Sequence, residues 1–128
     1  MYNLININEH VMTRDIKLKN LDTNVENICF DDSALKSDHH NFEFMKLNQE
    51  YRCRIELFGD TVSEVDERVV ECIVNKEVKI GKFDYIEVFV NREIYYVEKS
   101  KVSQNIFFFK VSRKDIIQVN DVIHPDLL

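Results

Sequence analysis

Between Tyr51 and Leu57 the chain alternates with period two: Tyr51, Cys53, Ile55 and Leu57 fall on one side, and Arg52, Arg54 and Glu56 on the other. Successive side chains of a strand point to opposite faces, so the pattern predicts a strand with one buried and one wetted face. Parallel strands are usually covered on both sides, so a strand of this kind belongs to an antiparallel sheet or barrel. Gly59-Asp60 is read as its end.

The flanking segments extend the same picture. Arg14–Leu21 and Val25–Phe30 enclose the polar break Asp22-Thr23-Asn24, which predicts a hairpin over residues 14–30. Phe83–Val90 and Glu93–Glu98 are separated by Asn91-Arg92, and Asn tolerates the positive φ that a two-residue hairpin turn demands. Asn105–Val111 holds Ile106, Phe107, Phe108 and Phe109 in succession. That run predicts a strand covered on both faces, or one with an aromatic face open to a ligand.

Thr61-Val62-Ser63-Glu64 has the spacing of a capping box, and Val62, Val65, Val69 and Cys72 recur at helical intervals. A short helix over residues 62–72 is therefore expected. Valine is a mediocre helix former, so a strand over Val69–Val74 competes with it. Asp31–Asn41 reads as a long exposed loop, and the residues from Pro125 onward as a tail.

With 128 residues the chain supports one core, which predicts a single β-rich domain over residues 1–128. Glycine occurs twice and proline once, which excludes Gly-rich phosphate loops and proline-rich linkers and leaves turns to Asn, Asp and Ser. The expected fold is mainly β: a small antiparallel barrel or strongly curved sheet with one short helix. By analogy of strand count, an OB-like barrel is the first choice.

No stretch approaches the roughly 20 apolar residues needed to span a bilayer, and Met1–Asn8 lacks the basic flank of a secretory signal. Cys29, Cys53 and Cys72 are odd in number and widely spaced, with no Cys-x-x-Cys. These features predict a cytoplasmic, reducing setting with the thiols packed as small hydrophobes.

Chemistry-bearing motifs are sparse. Asp31, Asp32, Asp38, His39 and His40 supply metal-ligating groups, yet adjacent histidines on an extended segment point apart and no known ligand spacing is present, so a solvated loop is expected. No Gly-x-Ser-x-Gly, Walker or dinucleotide fingerprint occurs. The expectation is a protein without enzymatic activity, cofactor or metal.

Charge is distributed unevenly. Residues 21–50 hold seven acids against Lys36 and Lys46, whereas residues 92–114 hold six cations against Glu93 and Glu98. With a net charge of −6, the chain suits a basic protein partner, as an acidic inhibitor or immunity-type factor does. The acidic loops then carry recognition, through Asp31, Asp32, Asp38, Glu43, Asp60, Glu64, Asp66 and Glu67. The alternative is a single-stranded nucleic-acid binder stacking bases on Tyr95, Tyr96, Phe107 and Phe109 and holding phosphates with Lys99, Lys101, Lys110 and Arg113. Either reading is compatible with a monomer or a homodimer.

Overall fold

The computed structural model describes residues 1–128. Ten strands run in chain order: β1 (Tyr2–Glu9), β2 (Arg14–Asn20), β3 (Glu26–Asp31), β4 (Glu50–Tyr51), β5 (Cys53–Val62), β6 (Val69–Ile80), β7 (Phe83–Val90), β8 (Glu93–Glu98), β9 (Ile106–Val119) and β10 (Val122–Ile123). The single short helix, α1 (Ser33–Lys36), follows β3, and 3-10 turns occupy Lys99–Lys101 and Pro125–Leu127.

Strands β9, β5, β8, β7 and β6 pair in that order, and β6 pairs back onto β9, which closes a five-stranded barrel. A wing of β4, β1, β2 and β3 attaches where β3 meets β9 in parallel at Phe30 and Asp115. The 14-residue β9 serves both bodies: its first half pairs with β6, its second half meets β3, and β5 runs along its other edge. Most pairings are antiparallel; β5 and β8 meet in parallel at Glu56 and Tyr96.

The alternation of Tyr51–Leu57 is realised on its apolar side, with Tyr51, Ile55 and Leu57 buried, but Arg52 interrupts the strand and Glu56, on the side expected to be wetted, is buried as well. Strand β5 does not stop at Gly59-Asp60, however. It bulges there and continues to Val62, because Gly59 passes so close to β9 that a Cβ would sit 1.9 Å from the carbonyl oxygen of Lys110. The hairpins β2–β3 and β7–β8 form as expected, with Asn24 and Asn91 at φ of 63° and 54° in their turns.

The expected helix over residues 62–72 is replaced by the end of β5, a turn and the start of β6. The Thr61 hydroxyl donates to the Lys101 carbonyl rather than capping a helix, and the Asp66 carboxylate accepts from the Arg68 N–H to set the turn. Val69 and Val70 then pair with Lys110 and Phe109, where β-branched residues fit a pleated surface.

Two further expectations are corrected. Asp31–Asn41 is not one exposed loop: Asp31 ends β3 and is buried, and Ser33 is buried in α1. The C-terminal residues are not a loose tail. Strand β10 pairs with β9, and Leu127 packs with Ile80, Tyr85, Tyr96 and Ile117 against the outside of the barrel. The main core is one cluster of 20 buried residues running from Leu4 and Ile16 in the wing to Val88 and Phe109 in the barrel.

Candidate interaction surface

The acids expected in recognition divide sharply. Asp31 is buried, accepts from the Arg14 Nε–H at 2.8 Å, and accepts from both the Ser33 N–H and hydroxyl. Arg14 also donates to the Phe42 carbonyl, so the pair ties β2 and β3 to the following segment. Asp32 accepts from His124 at 2.6 Å. Asp38 and Glu43 are exposed and unpaired.

Asp60, Glu64, Asp66 and Glu67 all lie exposed at the β5–β6 end of the barrel. Asp66 pairs with Lys110 at 2.9 Å, which holds its carboxyl below the usual range. Asp60 stands opposite Lys110 and Phe30 opposite Asp115, so the two acidic segments reach β9 about 16 Å apart at strand rise and form no single surface.

The eight residues expected of a nucleic-acid groove are engaged within the protein. Tyr95, Tyr96, Phe107 and Phe109 are only 4%, 6%, 5% and 0% exposed, so none offers a face to a base. Lys99 pairs with Glu77 and Lys110 with Asp66, while Arg113 pairs with Asp115 and lies over the Phe30 and Phe58 rings. Lys101 donates to the Gly59 carbonyl. The three consecutive phenylalanines split by strand parity: Phe107 and Phe109 enter the barrel and Phe108 points out.

Burial pushes the Cys53 and Cys72 thiols up to about 12 and Cys29 higher still, which disfavours the thiolate form at all three.

A small cleft lies where the C-terminal turn covers β5 and β9, lined by Asp32, Glu56, Arg113, Asp115, His124 and Asp126. Burial, then the charges of Glu98 and Asp115, push the Glu56 carboxyl up to about 7, and the Tyr85 hydroxyl reaches it only at 3.4 Å. Asp32, His124 and Asp126 bring three ligand atoms within 4.8 Å of one another, a grouping dispersed in sequence and missed there. Both imidazole nitrogens are occupied: Nδ1 accepts from the Asp126 N–H and Nε2 donates to Asp32. A cation on Nε2 would drive the proton onto Nδ1, against that N–H, so the geometry fits a latch on the C-terminal turn better than a metal centre. The cleft volume, about 90 Å³, is far below that of a ligand pocket.

What the outer barrel face does present is apolar. Paired positions on neighbouring strands share a face, and the pairs Val62–Phe108, Ile106–Ile73, Ile73–Phe89 and Phe89–Ile94 carry a band of hydrophobic side chains from β5 across β9, β6 and β7 to β8. Ile106 is 56% and Ile73 44% exposed, and Val65, in the loop between β5 and β6, is 67% exposed. Val62, Glu64 and Asp66 line one shallow hollow, which joins the band to the acidic loop. Glu71, the other neighbour of Phe108, adds a further exposed acid. No helix is long and apolar enough to cross a membrane. Comparison with family models, with curated proteins and with solved structures finds no match to this chain, so its own surface is what bears on function.

Proposed function

We propose that this chain is a non-enzymatic interaction module that docks a basic protein on the outer barrel face, as an acidic inhibitor or immunity-type factor does. The observation that carries the reading is the apolar band through Val62, Phe108, Ile106 and Ile73, edged by exposed acids at the end of β5 (Asp60), in the turn that follows (Glu64, Glu67) and at the start of β6 (Glu71). Exposed apolar patches with a charged rim are the usual anatomy of protein-binding sites, with the apolar centre supplying affinity and the rim steering encounter. A second copy of the chain would bring the same acids together at this rim, which favours a basic partner over self-association.

The single-stranded nucleic-acid alternative is less well supported, because its four rings are in the core and its four cations are already engaged. The OB-like comparison rests on the five-strand count and brings no ligand with it.

Affinity capture from the native host with wild-type protein and with Ile73→Ser/Ile106→Ser tests the proposal. Wild type is expected to retain a basic protein that elutes with rising salt, and the double variant to lose it by roughly 30-fold or more in affinity while its melting temperature holds. Recovery of the same proteins by both forms would overturn the reading.

A further inference from the structure

Away from the acidic rim, the seam between wing and barrel gathers arginines. Two adjoining hollows of about 240 and 340 Å³ share Arg52, Cys53 and Tyr96; the first adds Arg92, Asn20, Thr23 and Ile94, and the second Arg54, Gln118 and Asn120. They form one groove lined by three arginines from two places in the chain, Arg52 and Arg54 at the start of β5 and Arg92 in the β7–β8 turn. None of the three takes part in an ion pair, although the protein carries 23 acids against 17 lysines and arginines.

The fold brings the three arginines to this groove. Arg52 sits between β4 and β5, where its N–H donates to the Asn120 side chain at 3.0 Å and its carbonyl accepts from the Asn120 N–H at 2.7 Å. Arg54 lies over the Tyr96 ring at 5.3 Å, and the Tyr96 hydroxyl is fixed in turn on Glu87 at 2.8 Å. Arg92 occupies the tight β7–β8 turn next to Asn91. Guanidinium forks that line a groove without a carboxylate partner are suited to a compact oxyanion, which they bind through paired, charge-assisted hydrogen bonds.

We propose that this groove binds the phosphate group of a small phosphate ester, with Arg52, Arg54 and Arg92 on the phosphate and the organic part against the exposed side chain of Ile94. The groove also contains Asp22 and Asp121. Those two carboxylates disfavour a long polyanion threading through, and with the net charge of −6 they point to a short anion rather than a nucleic-acid strand.

The test is a titration followed by amide chemical shifts, using inorganic phosphate, pyrophosphate and adenosine 5′-monophosphate, with adenosine as the phosphate-free control. Saturable shifts at Arg52, Arg54, Arg92 and Asn120 are expected with the phosphates and none with adenosine. Arg54→Gln and Arg92→Gln should each weaken binding by on the order of tenfold at unchanged melting temperature. Asp121→Asn should strengthen it, a gain that a misfolded variant would not show. No saturable response up to about 10 mM, an affinity indifferent to these substitutions, or tighter binding of an oligodeoxythymidine than of the monophosphate would overturn the proposal.

Discussion

The two acidic segments have similar composition and opposite employment. Around Asp31 the carboxylates are turned inward, where Asp31 holds Arg14 and Ser33 and Asp32 holds His124. Around Glu64 they stand in solvent, and only Asp66 has a cationic partner. The difference is one of position in the sheet. Asp31 ends a strand that is flanked by β2 and covered by the residues that follow, so its charge must be paired; residues 63–68 form a turn at the open end of the barrel, where water solvates the charge. Acids that look alike in sequence therefore serve stability in one place and remain available for binding in the other.

The largest effect should come from breaking the inward pair. Asp31→Ala leaves the buried Arg14 charge without its partner and should cost about 3–5 kcal/mol, read as a large fall in denaturation midpoint. A loss below about 1 kcal/mol would mean that the pair does not organise the wing.

Glu56 supplies an intermediate case, a buried acid with no cation bonded to it. Its folded-state value near 7 lies above the ordinary carboxylate value, so the folded protein holds this proton more tightly than the unfolded chain does. Stability must then fall as pH rises from about 4.5 through about 7, and the penalty is complete above that range. Glu56→Gln should gain on the order of 1–3 kcal/mol at pH 8 and little at pH 4. The gain is measured by denaturant unfolding at the two pH values, and an equal effect at both would contradict the burial argument.

The smallest stability effect belongs to the outward acids. Glu64→Gln/Glu67→Gln should leave the denaturation midpoint within about 0.5 kcal/mol of wild type, yet slow association with a basic partner and flatten its salt dependence. Stopped-flow mixing reads the rate; a clear loss of stability would place these residues with Asp31 instead.

The contrast marks where sequence alone was informative. The Tyr51–Leu57 alternation and the Asn91-Arg92 turn are local signals, and they announce a strand with an apolar inner side and a hairpin, though not the burial of Glu56 on the strand's other side. Strand β1 gave no such signal, because a bulge between Leu4 and Asn6 breaks its period two. The valines of residues 62–72 fit both a helix face and a barrel strand, and only pairing with β9 decided between them. The employment of the acids was invisible for a different reason: Asp31 finds Arg14 at 17 residues' separation and Asp32 finds His124 at 92. The arginine groove was hidden likewise, since it joins residues from the β4–β5 junction, β5 and the β7–β8 turn.

The central claim is that the outward face at Phe108, and not the wing, docks the protein partner. A photo-crosslinking amino acid placed at position 108, and in a second form at the exposed position 28 on the wing, tests this in the cells that make the protein. Adducts to a basic protein from position 108 alone are predicted, and no adduct there, or equal adducts from both positions, would contradict it.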